Sequence, residues 1–476
     1  MTRGDPIPNA LLLAALVVSG CVPLAASGPE PTPGSPSVGA GTSPPPFPTP
    51  FLPSDRTPTP GAKPRPTTEP ESLSPYLLEN GDAAPTPVEP IPFQAEALNI
   101  LLLGSDRRNG DSFRDDVLIL VSVDPEDRSA VMLSIPRDLW VYLPEQGMQR
   151  INSAYGIGEQ QSYPGGGMGL LRAALLYNLG IPVHRFVRVE MQGFERLVDA
   201  LGGIEVLVAC SYTDWRLEEP DAPPEDRDSW ELYTVTPGQV SMDGDLALWY
   251  SRARARSSDF DRSRRQQEVL RALHRLAQQP NMLARIPSMY RALAKHVTTD
   301  LTLSDLLSLA PLAAELGPAS VRSRFIGREQ VENYRVPTSG AAVLIAKPDA
   351  LRILLQEAFS KPSAMEAGPL SELEVELIDA SRRPAWALLA AERLAYAGVS
   401  VQAGPPLAIP AEQTILVDTL SVDDPARRAL LETLGLGPTS LLEVPEPAGR
   451  PRFRLIVADD YNPCFDPTRR GRVAGG

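Results

Sequence analysis

The chain has 476 residues, 43% hydrophobic and 22% charged, a globular composition in a length that exceeds one ordinary core and predicts at least two folded units. Its 45 basic residues against 59 acidic ones give a net charge of −14, and no extended basic run is present, which argues against nucleic acid as a partner. Three histidines, His184, His274 and His296, stand apart without ligand-like spacing, and three cysteines cannot build a zinc or iron–sulfur centre, so any metal here has oxygen ligands.

Residues 1–21 open with Met1-Thr2-Arg3 and carry an apolar run from Ala10 to Val18, followed by Ser19-Gly20-Cys21. The run is shorter than the roughly 20 residues a membrane-spanning helix needs, and small residues before a cysteine read as a lipoprotein signal peptide with Cys21 as the lipidated N-terminus. An incidental cysteine near an ordinary cleavage site is the alternative. Both place the remainder outside the cytoplasm, and lipidation anchors it to the outer face of the membrane. Residues 22–95 hold 21 of the 51 prolines and are rich in Ser, Thr and Gly, so they are expected to form a disordered tether. At about 3.1 Å per residue it reaches on the order of 200 Å.

Residues 96–360 read as the main domain. Ala97 to Leu103 is an apolar run closed by Gly104, Val117 to Val123 ends in the turn residues Asp124-Pro125-Glu126-Asp127, and Ala130 to Ile135 follows. A meander of three strands brings Asp106, Arg114, Asp116 and Arg137 to one edge. Asp106 and Asp116 at neighbouring strand ends suit a hard cation, Mg2+ or Mn2+, that leaves positions for phosphate oxygens; a solvated turn is the ordinary reading of such residues taken alone. The helix predicted from Met168 to about Gly180 is read as core packing, with a wall of a lipid tunnel as the minor alternative. Ser211 to Asp228 reads as a solvated acidic loop.

A second cluster adds to the first. Ala247 to Arg254 reads as a strand with Arg252 and Arg254 on one face. Ser258 and Asp259 offer an N-cap for a helix running to about Gln278, along which Arg262 and Gln266 extend the apolar stripe of Val269, Leu270, Leu273 and Leu276. Arg264, Arg265 and Arg271 are assigned to the wet face. Inward guanidiniums at a helix N-terminus favour an anion. Together with paired carboxylates and the absence of a P-loop glycine pattern, they describe a diphosphate site.

These residues also carry a resemblance. Gly104-Ser105-Asp106-Arg107-Arg108, Arg114-Asp115-Asp116, Ser134-Ile135-Pro136-Arg137-Asp138, Ile151-Asn152-Ser153-Ala154-Tyr155, Leu201-Gly202-Gly203-Ile204, Tyr250-Ser251-Arg252-Ala253-Arg254 and Asp259-Phe260-Asp261-Arg262 with Arg265-Gln266-Gln267 resemble the LytR-CpsA-Psr family. The resemblance implies an α/β fold, a mixed central sheet flanked by helices, and a transferase that moves a glycopolymer from a polyprenyl diphosphate carrier to a peptidoglycan hydroxyl. It implies Mg2+ at Asp106 and Asp116, diphosphate binding by Arg114, Arg137, Arg252, Arg254, Arg262 and Gln266, and a further acidic site position at Asp259. Either Asp116 or Asp259 is available as general base. The family's Arg-Ser-Asp-Thr is Arg114-Asp115-Asp116-Val117 here, so an added carboxylate is expected to bear on metal affinity. A polyprenyl diphosphate pyrophosphatase and a non-catalytic lipid-binding or regulatory envelope protein are the competing readings.

Beyond a linker at 361–370, residues 371–465 read as a small α/β domain resembling the LytR C-terminal domain, before a tail at 466–476. Strands are predicted over Leu373–Ile378, Val399–Val401 and Arg452–Ala458, and helices over Pro384–Ala397 and Asp424–Leu434. Cys210 and Cys464, the thiols left after Cys21, either bridge the two domains or stay free and buried.

Overall fold

The computed structural model describes residues 85–93, 97–107, 113–219, 222–223, 225–279, 296–302, 305, 309, 312–313, 315–317, 320–359, 370, 373–383, 385–407, 409–420, 422–445 and 451–464, without the side chains of residues 106, 107, 113, 114 and 277. The signal peptide with Cys21, the tether up to residue 84, linker residues 361–369 and the tail lie outside the described residues. Among the described residues no helix is long and apolar enough to cross a membrane.

The apolar runs form the antiparallel meander β1 (Leu98–Arg107), β2 (Phe113–Asp124) and β3 (Ser129–Ser134), and the Asp124 carboxylate accepts the N–H groups of Glu126 and Asp127 in the turn. A hairpin of β4 (Trp140–Leu143) and β5 (Gly147–Arg150) leads to α1 (Ala154–Gln160) and α2 (Gly166–Leu179). Helix α2 ends on Gly180, whose φ of 67° carries no Cβ penalty in glycine. β6 (Arg185–Glu190) then runs parallel to β1. Next come α3 (Met191–Leu201), β7 (Ile204–Val208), the hairpin β8 (Tyr212–Leu217) and β9 (Trp230–Val235), and β10 (Gly238–Met242) beside β7. Helices α4 (Gly244–Arg252) and α5 (Asp259–Ala277) follow. β11 (Val297–Thr299) pairs antiparallel with β6, and β12 (Val321–Phe325) parallel with β3. The resulting order among the described residues is β11-β6-β1-β2-β3-β12, a mixed central sheet. The hairpin β13 (Val331–Arg335) and β14 (Ala342–Ala346) and helix α6 (Pro348–Phe359) complete this domain.

Strand alternation gives the sheet two apolar faces. Leu101, Leu118, Leu120, Val131 and Leu133 pack against α1, α2 and α6 in the largest core cluster. Met168, Leu170, Leu171 and Leu175 of α2 belong to that core, as expected, and take no part in the cavity described below. Ile100, Leu102, Ile119, Val121, Met132 and Val187 point to the opposite face and line that cavity.

The smaller C-terminal module holds β15 (Glu374–Asp379), α7 (Trp386–Tyr396), β16 (Ser400–Ala403), β17 (Ile415–Asp418), α8 (Pro425–Leu434), β18 (Leu441–Glu443) and β19 (Phe453–Val457) around its own core. Its sheet order is β16-β15-β19-β17-β18, parallel except between β17 and β19. The predicted elements are present; β17 and β18, four and three residues long, are too short for a periodicity to show.

Two expectations change. The tether does not extend to residue 95: Val88 and Ile91 donate N–H bonds to the carbonyls of Tyr177 and Gly180 at 3.0 and 2.9 Å, and Ile91 is buried. The first part of the acidic stretch is strand β8 rather than loop, and Asp214 within it is buried, bonded to Tyr212 and to the N–H groups of Trp215 and Ala255.

Candidate active site

The site begins with an irregularity in the β1–β2 pairing. Gly104 pairs with Val117 and Ser105 with Asp115, so Asp116 is the extra residue of a bulge, a device that re-aims side chains at sheet rims. Asp116 meets Arg137, which lies just past β3, with Arg137 Nη1 donating to Asp116 Oδ1 at 2.5 Å. Arg137 Nε also stands 3.4 Å from Asp138, and Arg150 Nε 3.3 Å from the other Asp138 oxygen. Burial works against the Arg137 charge, but Asp116, Asp138 and Asp259 around it outweigh burial and raise its pKa. The strand pairing sets Asp106 opposite Arg114 at this same edge; both side chains lie outside the described residues.

The second cluster arrives by a route the sequence misjudged. The stretch predicted as a strand is helix α4, capped by Asp243, whose carboxylate accepts the Leu246 N–H at 2.9 Å. The capped start and the acidic Asp245 in the first turn outweigh the strand preference of Trp249 and Tyr250. Arg252 ends the helix and Arg254 lies in the loop after it, so they share no strand face. Helix α5 starts as expected, with a capping box in which Ser258 and Asp261 satisfy each other's backbone N–H groups. Asp259 in its first turn stands 3.3 Å from Arg262 Nη2 and 3.9 Å from Arg254 Nη1. Gln266, buried one turn beyond Arg262, donates to the Ser251 carbonyl at 3.2 Å.

Arg262 is the least satisfied charge in this set. It is 5% exposed, and its Nε has no hydrogen-bond partner among the described residues. Burial lowers its pKa; Asp259 opposes that shift and Arg137 adds to it. A guanidinium held in such a place at a helix N-terminus is stabilised by an incoming anion. The structure thus brings Asp116, Arg137, Arg254, Asp259 and Arg262 together, with Arg252 and Gln266 one layer behind.

Three assignments of the sequence reading are corrected. Arg265 and Arg271 are buried, not on the wet face. Arg265 donates to the carbonyls of Tyr250 and Ala253 and to Ser257 Oγ, and its guanidinium lies 3.8 Å from the Tyr212 ring centroid. It therefore fixes the α4–α5 loop that carries Arg254. Third, the added carboxylate Asp115 does not face the site: it is buried and paired with Arg188 at 3.1 Å, with burial pushing its pKa up to about 6. Gln267 was passed over, although it ties α5 to the sheet through Ser134 Oγ at 2.8 Å and the Arg324 carbonyl at 3.1 Å. Arg265 was visible as the i+3 neighbour of Arg262 on the stripe, and its charge type masked the signal.

Arg252 and Gln266 also line a cavity of about 900 Å3 between the second face of the sheet, α5 and the C-terminal module. Its walls are mostly apolar, and it sits at the upper end of the roughly 300–1,000 Å3 of small-molecule sites. The donors fit a hard cation in type, since Asp116 offers carboxylate oxygen and Asp106 shares its edge. Among the described residues there is no group of three or more His, Cys, Asp or Glu placed to hold a metal.

Fold and site define a mixed α/β domain with a cluster of guanidinium and carboxylate groups near an apolar hollow. A family model described as the LytR_cpsA_psr family matches residues 79–350, and the chain belongs to that family. It is 34% identical over 218 residues to the "Polyisoprenyl-teichoic acid--peptidoglycan teichoic acid transferase TagU" of Oceanobacillus iheyensis, covering 45% of this chain and 62% of that protein. The protein of the same name in Enterococcus faecalis is 29% identical, covering 45% of this chain and 65% of the relative. The chain thus spans less than two thirds of the length of these relatives. Among solved structures, Bacillus subtilis TagV aligns with a TM-score of 0.45 at 24% identity over 56% of this chain and 98% of its own. "TagT bound to LI-WTA" aligns with a TM-score of 0.42 at 26% identity over 57% and 94%.

Proposed function

We propose that the protein is a phosphotransferase of the cell envelope that moves a glycopolymer from a polyprenyl diphosphate carrier to a hydroxyl of peptidoglycan. The observation that carries this reading is the buried, under-neutralised Arg262 near Arg137 and Arg254, one helical turn before Gln266 in the lining of an apolar cavity, an arrangement suited to a diphosphate head with a greasy tail. The names of the teichoic acid transferases among its relatives support the substrate class.

In this reading Arg137, Arg254 and Arg262, with Arg114 and Arg252, hold the diphosphate. The acceptor oxygen bonds to the phosphorus next to the sugar, the bond from that phosphorus to the bridging oxygen breaks, and polyprenyl phosphate leaves with the electron pair. Asp259, one third exposed and not locked by a short ion pair, takes the hydroxyl proton. Asp116, engaged by Arg137, is left with Asp106 to hold Mg2+ or Mn2+, which would neutralise diphosphate charge. Positioning and charge neutralisation supply the catalysis, and no covalent enzyme intermediate is needed. Cys21 is lipidated, and the tether carries the enzyme outward from the outer face of the membrane.

The test is transfer of a labelled carrier-linked glycan to peptidoglycan by the purified ectodomain. Arg137→Ala is expected to lower turnover by about 10²–10³, the effect of removing one preorganised charge-stabilising group. Unchanged turnover in a folded Arg137→Ala protein refutes the site, and phosphate release without acceptor replaces transfer with hydrolysis.

A further inference from the structure

The C-terminal module occupies a defined place against the cavity. Helix α5 runs along the cavity from Gln266, one turn past Arg262, to Gln278, about 18 Å at the α-helical rise. Toward that far end it meets α7 of the module. Arg271 lies 3.4 Å from the Tyr396 ring centroid, and it also donates to the Val321 carbonyl at 3.0 Å and Ser323 Oγ at 2.7 Å. One turn on, Arg275 Nη1 donates to Glu392 Oε1 at 2.6 Å. A disulfide also joins Cys464 of the module to Cys210, two residues past β7.

Between these fixed points α7 presents Ala387, Leu388, Ala391 and Ala395 to the cavity, on one helical face. Leu388 is 50% exposed, an apolar side chain spent on an empty space rather than on a core. Leu377 of β15, Val401 of β16 and Val399 just before β16 continue the wall. A partly buried ion pair such as Arg275–Glu392 adds little net stability but fixes one docking geometry, which suits a wall that must hold its position.

We infer that the C-terminal module is the end wall of the channel and that α7 sets how long a prenyl chain the enzyme accommodates. The inference rests on the polyprenyl reading above, and it commits to a linear isoprenoid because the lining of the apolar hollow includes Arg252 and Gln266, the latter one turn along α5 from Arg262. Small alanines on α7 leave room for the distal part of the tail. A short prenyl diphosphate uses the end near Gln266 and the sheet-lined part alone and does not reach α7.

The experiment compares binding of a fifteen-carbon and a fifty-five-carbon prenyl diphosphate to the full ectodomain and to Ala391→Trp, with Leu388→Trp as a second variant should the first not fold. The bulky side chains are expected to weaken the long ligand about tenfold or more, about 1.4 kcal/mol, and to leave the short one within about twofold. Wild-type affinity for both lengths in folded variants overturns the wall while the polyprenyl reading stands. Equal loss for both lengths also overturns it, since the substitution then acts on the site as a whole. Failure of the wild-type protein to bind either diphosphate removes the polyprenyl reading itself.

Discussion

The two faces of the central sheet have nearly the same side-chain chemistry and opposite fates. On one face Leu101, Leu118, Leu120 and Leu133 are closed over by α1, α2 and α6 into a filled core. On the other, Ile119, Val121, Met132 and Val187 border a hollow of about 900 Å3 that ends at the module. Apolar composition therefore makes a strand buried without deciding what buries it. The difference comes from what packs opposite: large side chains of α2 on the filled face, and on the hollow face Arg252 at the end of α4 and Gln266, Arg271 and Arg275 of α5, with alanines on α7 beyond.

The sharpest way to break this comparison is to truncate equivalent strand positions on each side. Leu133→Ala opens a void in close-packed surroundings and is expected to cost about 2–5 kcal/mol in urea unfolding. Val121→Ala enlarges a space that already exists and is expected to cost about 1 kcal/mol or less, because little cavity term is added. In reverse, Val121→Phe should be tolerated where Leu133→Trp is not. Equal costs on the two faces would mean that the hollow closes up in solution.

A somewhat smaller effect is expected at the module. The Cys210–Cys464 bond spans 254 residues of sequence and pins the module over the hollow side only. Replacing both cysteines by serine is expected to lower stability by about 2–4 kcal/mol and to make the segment after residue 360 the first released by limited proteolysis. The filled face should keep its amide protection in hydrogen exchange. Loss of protection there at the same time would show that the module supports the whole sheet rather than one side of it.

How much of this was legible in the sequence follows from the same asymmetry. The β1–β3 meander, the capping box of α5 and the inward placement of Arg262 and Gln266 could be read, because apolar runs, turn residues and helical spacing are local signals. The α4 helix was missed because its aromatic residues favour strand while its decisive cap, Asp243, lies before the stretch that drew attention. Arg265 and Arg271 were put on the wet face because charge normally marks solvent. Their partners are the Tyr212 ring and the Tyr250 carbonyl for one, and Tyr396 for the other, 125 residues further along the chain and in another domain. A greasy pocket is implied by the resemblance alone; periodicity does not locate the hollow, since alternation shows that both faces are apolar and says nothing of the gap across from them, and the Met168–Gly180 helix, the one segment read as a possible tunnel wall, packs on the filled face instead.

The smallest of these predictions asks whether the hollow is dry. His274 lines it from α5, and burial pulls its pKa down to about 4, helped by Arg271 and Arg275 and opposed by a hydrogen bond at the Ala313 backbone. With a folded-state pKa below the ordinary value of 6.5, the unfolded chain binds the extra proton first, so this residue withdraws stability as pH falls from 6.5 toward 4. Asp115 acts in the opposite sense: its folded-state pKa of about 6 lies above the ordinary 3.8, so it adds stability over the same fall. The two offset each other in the whole-protein profile, and only a comparison with His274→Leu isolates the histidine. That variant is expected to gain roughly 1–2 kcal/mol on the wild type between pH 7.5 and pH 4.5, discounted from the full shift because the ring is only partly shielded. If water fills the hollow, His274 protonates in place, the gain vanishes, and the second face is a wet cleft instead of a channel for a hydrocarbon tail.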